Sequence, residues 1–109
     1  MSWNVEYLPE AKEDLQNLNK DVRIAVLQAI KKVRENPLPK SENGYGNPLG
    51  NKSGTNLTGF FKIKLLKYGI RVVYKLIRTE TSMIIVVIGA RRDDEVYIIA
   101  AKRKKKHDL

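Results

Sequence analysis

The sequence has no cysteine, one histidine and one tryptophan in 109 residues. Without a thiol there is no disulfide scaffold, no thiolate nucleophile and no cysteine-based zinc site. The lone histidine, His107, lies in the C-terminal tail, so the residue most often used for proton transfer is missing from the body of the chain. Long apolar runs are missing too. The longest, Met83 to Ile88, has the length of a strand and falls far short of a bilayer span. Met1 to Glu6 does not show the basic stretch and apolar run of a signal peptide. The expectation is a soluble cytoplasmic protein with no membrane partner. Carboxylates do not cluster either: Asp93-Asp94-Glu95 reads as the acidic start of a helix rather than as ligands for a cation. No metal and no cofactor are expected.

What is present is positive charge, unevenly placed. Residues 1–36 hold 6 Lys/Arg and 6 Asp/Glu, whereas residues 37–109 hold 15 and 6, which accounts for the whole net charge of +9. A neutral half followed by a strongly basic half points to a surface for a polyanion. The length suits a single domain with a real core, expected over residues 1–103, with 104–109 as a basic, disordered tail.

In order along the chain, Ser2 to Leu8 reads as a short strand with Trp3, Val5 and Tyr7 on one face. Pro9 fits the first position of a helix, followed by Glu10, Glu13 and Asp14 where negative charge suits the dipole. Asp21 is the expected N-cap of a second helix, whose stripe is Val22, Ala25, Val26, Ala29, Ile30 and Val33. Asn36-Pro37 ends it. From Pro37 to Asn56 the chain reads as a long loop rich in Gly, Pro, Asn and Ser, anchored by Tyr45 and Leu49. Its glycines do not fit a phosphate-binding loop, since no strand and helix bracket them.

The stretch from Leu57 to Arg78 reads as a hairpin with alternating apolar and cationic residues, turning at Tyr68-Gly69. If the turn holds an even number of residues, Lys62 and Lys64 share a sheet face with Arg71, Val73 and Lys75. Cations gathered on one face repel each other unless something anionic lies there. A further turn at Thr79-Glu80-Thr81 leads to a strand from Ser82 to Gly89, apolar on both faces and therefore interior. A short helix follows, with Arg91 just past the strand end and Tyr97 on the helix. The expected class is α+β: β-α-α-β-β-β with a short C-terminal helix, one mainly antiparallel sheet packed against a helical pair.

RNA cleavage by 2′-hydroxyl attack needs a base for the hydroxyl, positive charge on the phosphorane and an acid for the departing 5′-oxygen. Lysine and tyrosine are slow bases at their ordinary pKa near 10, but crowded cations favour a neutral amine and a phenolate. Lys62, Lys64, Arg71, Arg91 and Tyr97 are the candidate set for such chemistry without histidine.

The element order, Phe61-Lys62-Ile63-Lys64-Leu65, Gly69-Ile70-Arg71-Val72-Val73-Tyr74, and Ile88-Gly89-Ala90-Arg91-Arg92 leading to Glu95-Val96-Tyr97 together resemble the RelE/ParE toxin superfamily. The resemblance covers roughly residues 3 to 103 and is closest to the RelE branch of type II toxin–antitoxin modules. It implies a toxin that enters the ribosomal A site and cuts mRNA there without a metal, held in check by a cognate antitoxin protein. It also implies roles: Arg91 as general acid, Lys64 or Tyr97 as base, Lys62 and Arg71 on the phosphate. Lys67, Lys75, Arg92, Lys102, Arg103, Lys104 and Lys105 are further candidate contacts to mRNA or ribosomal RNA. Two departures stand out: the Pro37–Asn56 segment is longer than in compact RelE toxins, and the chain continues past Arg103. The alternatives are a ParE-like gyrase poison on the same scaffold and a non-catalytic RNA-binding domain.

Overall fold

The structure, a computed structural model, describes residues 2–52, 54–92 and 94–109. Strand β1 (Asn4–Tyr7) is followed by helices α1 (Pro9–Gln16) and α2 (Lys20–Val33), strands β2 (Asn47–Lys52), β3 (Thr55–Leu65), β4 (Ile70–Ile77) and β5 (Ser82–Ala90), and helix α3 (Glu95–Lys106). The sheet order is β1-β5-β4-β3-β2. β1 runs parallel to β5 and every other pair is antiparallel. The α+β class and the mainly antiparallel sheet are as the sequence predicts.

Pro9 opens α1 as expected. The start of α2 is corrected: Asn19, not Asp21, is its N-cap. The Asn19 carbonyl already accepts the Arg23 N–H at 2.9 Å, which places Asp21 inside the first turn, where its negative charge still suits the dipole. Val26, Ile30 and Val33 are buried along the predicted stripe.

The long-loop expectation is also corrected, because β2 forms inside it and adds a strand to the predicted order. Its sequence, Asn-Pro-Leu-Gly-Asn-Lys, has no alternation, and its register with β3 shifts between Pro48 and Gly50. Proline and an irregular register are tolerated there because β2 is an edge strand. Leu49 anchors it, buried as predicted, whereas Tyr45 is exposed and anchors nothing.

The hairpin keeps its predicted parity. Leu66–Tyr68 form a 3₁₀ turn closed by Gly69 at φ 62°, a conformation glycine adopts without Cβ strain. Leu65 therefore pairs with Ile70, Lys64 with Arg71 and Lys62 with Val73. Phe60 lies on the same face as these lysines, and Phe61 and Ile63 on the other. Lys104 of α3 lies over the Phe60 ring, while Ile63 shares a cleft with Ala29 and Val33 of α2. The two helices thus cover opposite faces of β3.

β5 is nearly all buried, as the apolar run predicts. Its pairing with β1 ends at Ile85, so the edge beyond has no strand to bond. Asp14 and Arg103 take that place. Asp14 Oδ2 accepts the Ile88 N–H at 3.0 Å, Arg103 donates to the Val86 carbonyl at 2.9 Å, and the two side chains pair at 2.6 Å. Both are largely buried, at 20% and 17% exposure.

This arrangement also corrects the end of the chain. The helix runs through Lys106 rather than giving way to a disordered tail after Arg103. Lys106 and His107 both bond Glu10 at the start of α1, and the Lys106 hydrogen bond, followed by a backbone one, holds the Glu10 carboxyl down to about 2. Leu109 packs against the core. No helix among the described residues is long and apolar enough to cross a membrane.

Asp14→Ala leaves the Ile88 N–H and the Arg103 guanidinium without their carboxylate. A loss of roughly 2–4 kcal/mol is expected, measurable by urea denaturation, with Arg103→Ala adding little on top of it in a double-mutant cycle.

Candidate RNA-cleavage site

The predicted residues come from separate parts of the chain and meet at one end of the sheet. Lys62 and Lys64 project from β3, and Arg71 lies directly across from Lys64 on β4. Arg71 is in turn paired with Gly89 of β5. A Cβ on Gly89 would stand 2.8 Å from Val96 Cγ2, so the missing side chain is what lets α3 settle this close to the sheet. That approach brings the Tyr97 ring against Arg71, with the guanidinium carbon 5.3 Å from the ring centroid.

Arg91 arrives by a backbone bond. Its N–H donates to the Gly69 carbonyl at 2.7 Å, which ties the segment after β5 to the β3–β4 turn. The Arg91 side chain is exposed, as is Lys64, while Lys62 and Arg71 are partly covered. Tyr97 is buried, at 2% exposure. The set predicted from sequence therefore converges, but with an unequal division: the exposed cations face solvent and the phenol ring supports Arg71 from beneath. A cation held over an aromatic face gains about 0.5–2 kcal/mol and loses freedom, so Arg71 is preorganised.

The wider set of candidate RNA contacts splits. Lys67, Arg92, Lys102 and Lys105 are exposed. Lys67 lies 5.6 Å from the Tyr68 ring centroid. Lys75 and Lys104 lie 5.0 and 5.9 Å from the centroid of the buried Phe60 ring, and Lys104 also donates to the Asn56 carbonyl at 2.7 Å. These two have structural partners, and Phe60 is core rather than a platform. Arg103 is corrected outright: its guanidinium is spent on Asp14 and the Val86 carbonyl. Like-charge runs read as solvated from sequence, and nothing local distinguishes Arg103 from its lysine neighbours.

β2 stops pairing at Asn47, opposite Lys62, so among the described residues no strand pairs with that edge of β3 from Ile63 onward. A cleft of about 400 Å³ wraps round that edge, touching Lys62 and Lys64 on one side and Ala29, Lys32 and Val33 of α2 on the other. Lys32 and Lys40 on its rim escaped the sequence reading, because only the folded chain brings α2 and the segment before β2 beside the hairpin.

No protein-family model matches the sequence, and no curated protein sequence matches it. Solved structures do. An Escherichia coli RelE toxin variant in the free state is 25% identical with a TM-score of 0.75, covering 94% of this chain and 98% of that one. The same variant in complex with an antitoxin RelBc peptide gives a TM-score of 0.69 at 25% identity, with the same 94% and 98% coverage. The toxin–antitoxin complex RelBE2 of Mycobacterium tuberculosis gives 0.66 at 23% identity, covering 85% of this chain and 95% of its own.

Gly89→Ala is expected to push Val96 and lift the first turns of α3, so that amides of Ile98 to Ala101 exchange with solvent about tenfold faster. Adding Val96→Ala makes room and should restore the slow exchange, as followed by hydrogen–deuterium exchange. In its five-stranded mixed sheet and three helices, the chain has the RelE-type toxin fold.

Proposed function

We propose that this protein is the toxin of a type II toxin–antitoxin pair and acts as a ribosome-dependent mRNA endonuclease, neutralised by a cognate antitoxin. The observation that best supports this reading is the convergence of Lys62, Lys64, Arg71 and Arg91, drawn from both strands of the hairpin and from beyond β5, at one end of one sheet. Binding a polyanion needs only net charge, whereas cleavage needs separate groups for base, phosphorane and leaving oxygen.

In this reading the 2′-oxygen attacks the adjacent phosphorus, and the bond from phosphorus to the 5′-oxygen breaks. The products are a 2′,3′-cyclic phosphate and a free 5′-hydroxyl. Lys64, exposed and opposite Arg71, takes the 2′-hydroxyl proton. Arg71 and Lys62 balance the charge that grows on the non-bridging oxygens. Arg91, exposed and tied through its backbone to the β3–β4 turn, supplies a proton to the departing oxygen. Tyr97, with its ring buried beneath Arg71, is a positioning residue rather than the base. The ribosome presents a single nucleotide step of mRNA in the geometry that in-line attack requires, a contribution the open surface does not make alone.

The reading is tested on ribosomes programmed with a defined A-site codon, measuring cleavage and ribosome binding separately. Lys64→Ala and Arg91→Ala are each expected to lose about 10²–10⁴ in cleavage rate with binding changed little. Tyr97→Phe should keep most of the rate and Tyr97→Leu should lose it. If cleavage and binding fall in parallel for Arg91→Ala, Arg91 is a binding residue. A Tyr97→Phe loss as large as that of Lys64→Ala makes the phenol the base.

A further inference from the structure

The cleft beside this edge of β3 holds more than the assigned chemistry uses. Its floor is apolar, formed by Ala29, Val33 and Ile63, and its rim carries Lys32, Lys40, Lys62 and Lys64, with no carboxylate lining it among the described residues. At the mouth stands Tyr45, 48% exposed, with the Lys32 ammonium 5.5 Å from its ring centroid.

The segment that carries Tyr45 is held firmly. The Tyr45 N–H donates to the Asn36 carbonyl at 2.8 Å and the Gly46 N–H to the Leu38 carbonyl at 2.9 Å. The buried Tyr74 hydroxyl donates to the Pro37 carbonyl at 2.9 Å. Gly44 backs onto the Leu38 carbonyl so closely that a Cβ would lie 2.0 Å from it. Arg78 grips Glu42 through two hydrogen bonds of 3.0 and 2.8 Å. The chain thus fixes the backbone under a large aromatic ring and leaves the ring itself in the open, although Leu49 and the prolines already anchor the segment.

We infer that this cleft takes the nucleotide next to the scissile phosphate, with its base stacked on Tyr45 and its phosphate between Lys32 and Lys40. The inference rests on the nuclease reading for the identity of the polyanion as RNA. A nucleotide presents a flat π face and an anion together, which matches an aromatic ring beside Lys32 and Lys40. An acidic peptide satisfies the lysines but offers the ring no planar partner. Lys62 and Lys64 also line the cleft, so a strand lying across these cations reaches it by passing round the edge of β3. Tyr45 then contributes to which codon is cut, since stacking strength differs among bases.

The test uses a short single-stranded RNA carrying 2-aminopurine, titrated with the full chain at constant ionic strength, reading affinity by anisotropy and stacking by fluorescence quenching. Wild type and Tyr45→Phe are expected to bind and quench alike. Tyr45→Ala should bind roughly tenfold more weakly and quench little, while its circular dichroism stays that of wild type, as suits an exposed side chain. Lys32→Ala with Lys40→Ala should lower the salt dependence of binding by about one to two phosphate contacts. Tyr45→Ala that binds and quenches like wild type overturns the inference, as does RNA binding that polyglutamate competes for equally well. The two readings fail separately. Tyr45-dependent binding by a chain that cuts nothing on ribosomes overturns the nuclease and leaves the cleft. Ribosomal cleavage whose rate and codon profile are unchanged in Tyr45→Ala overturns the cleft and leaves the nuclease.

Discussion

Asp14 and Arg103 do for the far end of β5 what another strand would have done. β1 is too short to cover it, so one backbone N–H and one carbonyl facing that edge would otherwise have lacked partners. An ion pair taken this far from water carries a desolvation cost, which its hydrogen bonds to the strand help offset. What the pair secures is position: it fixes the C-terminal half of α3 against the sheet and against α1. With that end held and Gly89 leaving room at the other, Val96 and Tyr97 reach the sheet, and Tyr97 meets Arg71. The geometry of the candidate site is therefore set partly by residues remote from it.

Charge in this protein serves two distinct purposes, and the fold sorts them. Arg103, Lys104 and Lys106 hold helix α3 to Asp14, to the Asn56 carbonyl and to Glu10. Lys75 joins Lys104 around Phe60. Lys64 and Arg91 instead face solvent near a groove whose other rim, Lys32 and Lys40, is basic as well. A net charge of +9 thus overstates the surface offered to a polyanion, while Lys32, Lys40, Lys62 and Lys64 lie together around one end of β3.

Much of this was legible in the sequence. Alternation in the Phe60–Tyr74 hairpin put Lys62 and Lys64 on one face, and the even-numbered turn between Leu65 and Ile70 is what sets Arg71 on the same face. The solid apolar run of β5 announced an interior strand. What was not legible depended on contacts between distant segments. β2 has no pattern of its own and exists because β3 offers it an edge. Arg103 looks like any other member of a lysine-rich run until the exposed end of β5 and Asp14 are brought to it. Tyr45 reads as an anchor in a loop of small residues, since nothing in the chain says that the loop's backbone is held by Asn36, Leu38 and Tyr74 instead.

The central claim is that these cations cut mRNA on the ribosome rather than merely bind nucleic acid or poison another target. The most direct measurement is induced expression followed by mapping of mRNA 5′ ends on a translated transcript and on the same transcript without its start codon. The account predicts new 5′-hydroxyl ends in phase with codons on the translated message only. Growth arrest with no such ends, or with DNA supercoiling defects in their place, would contradict it.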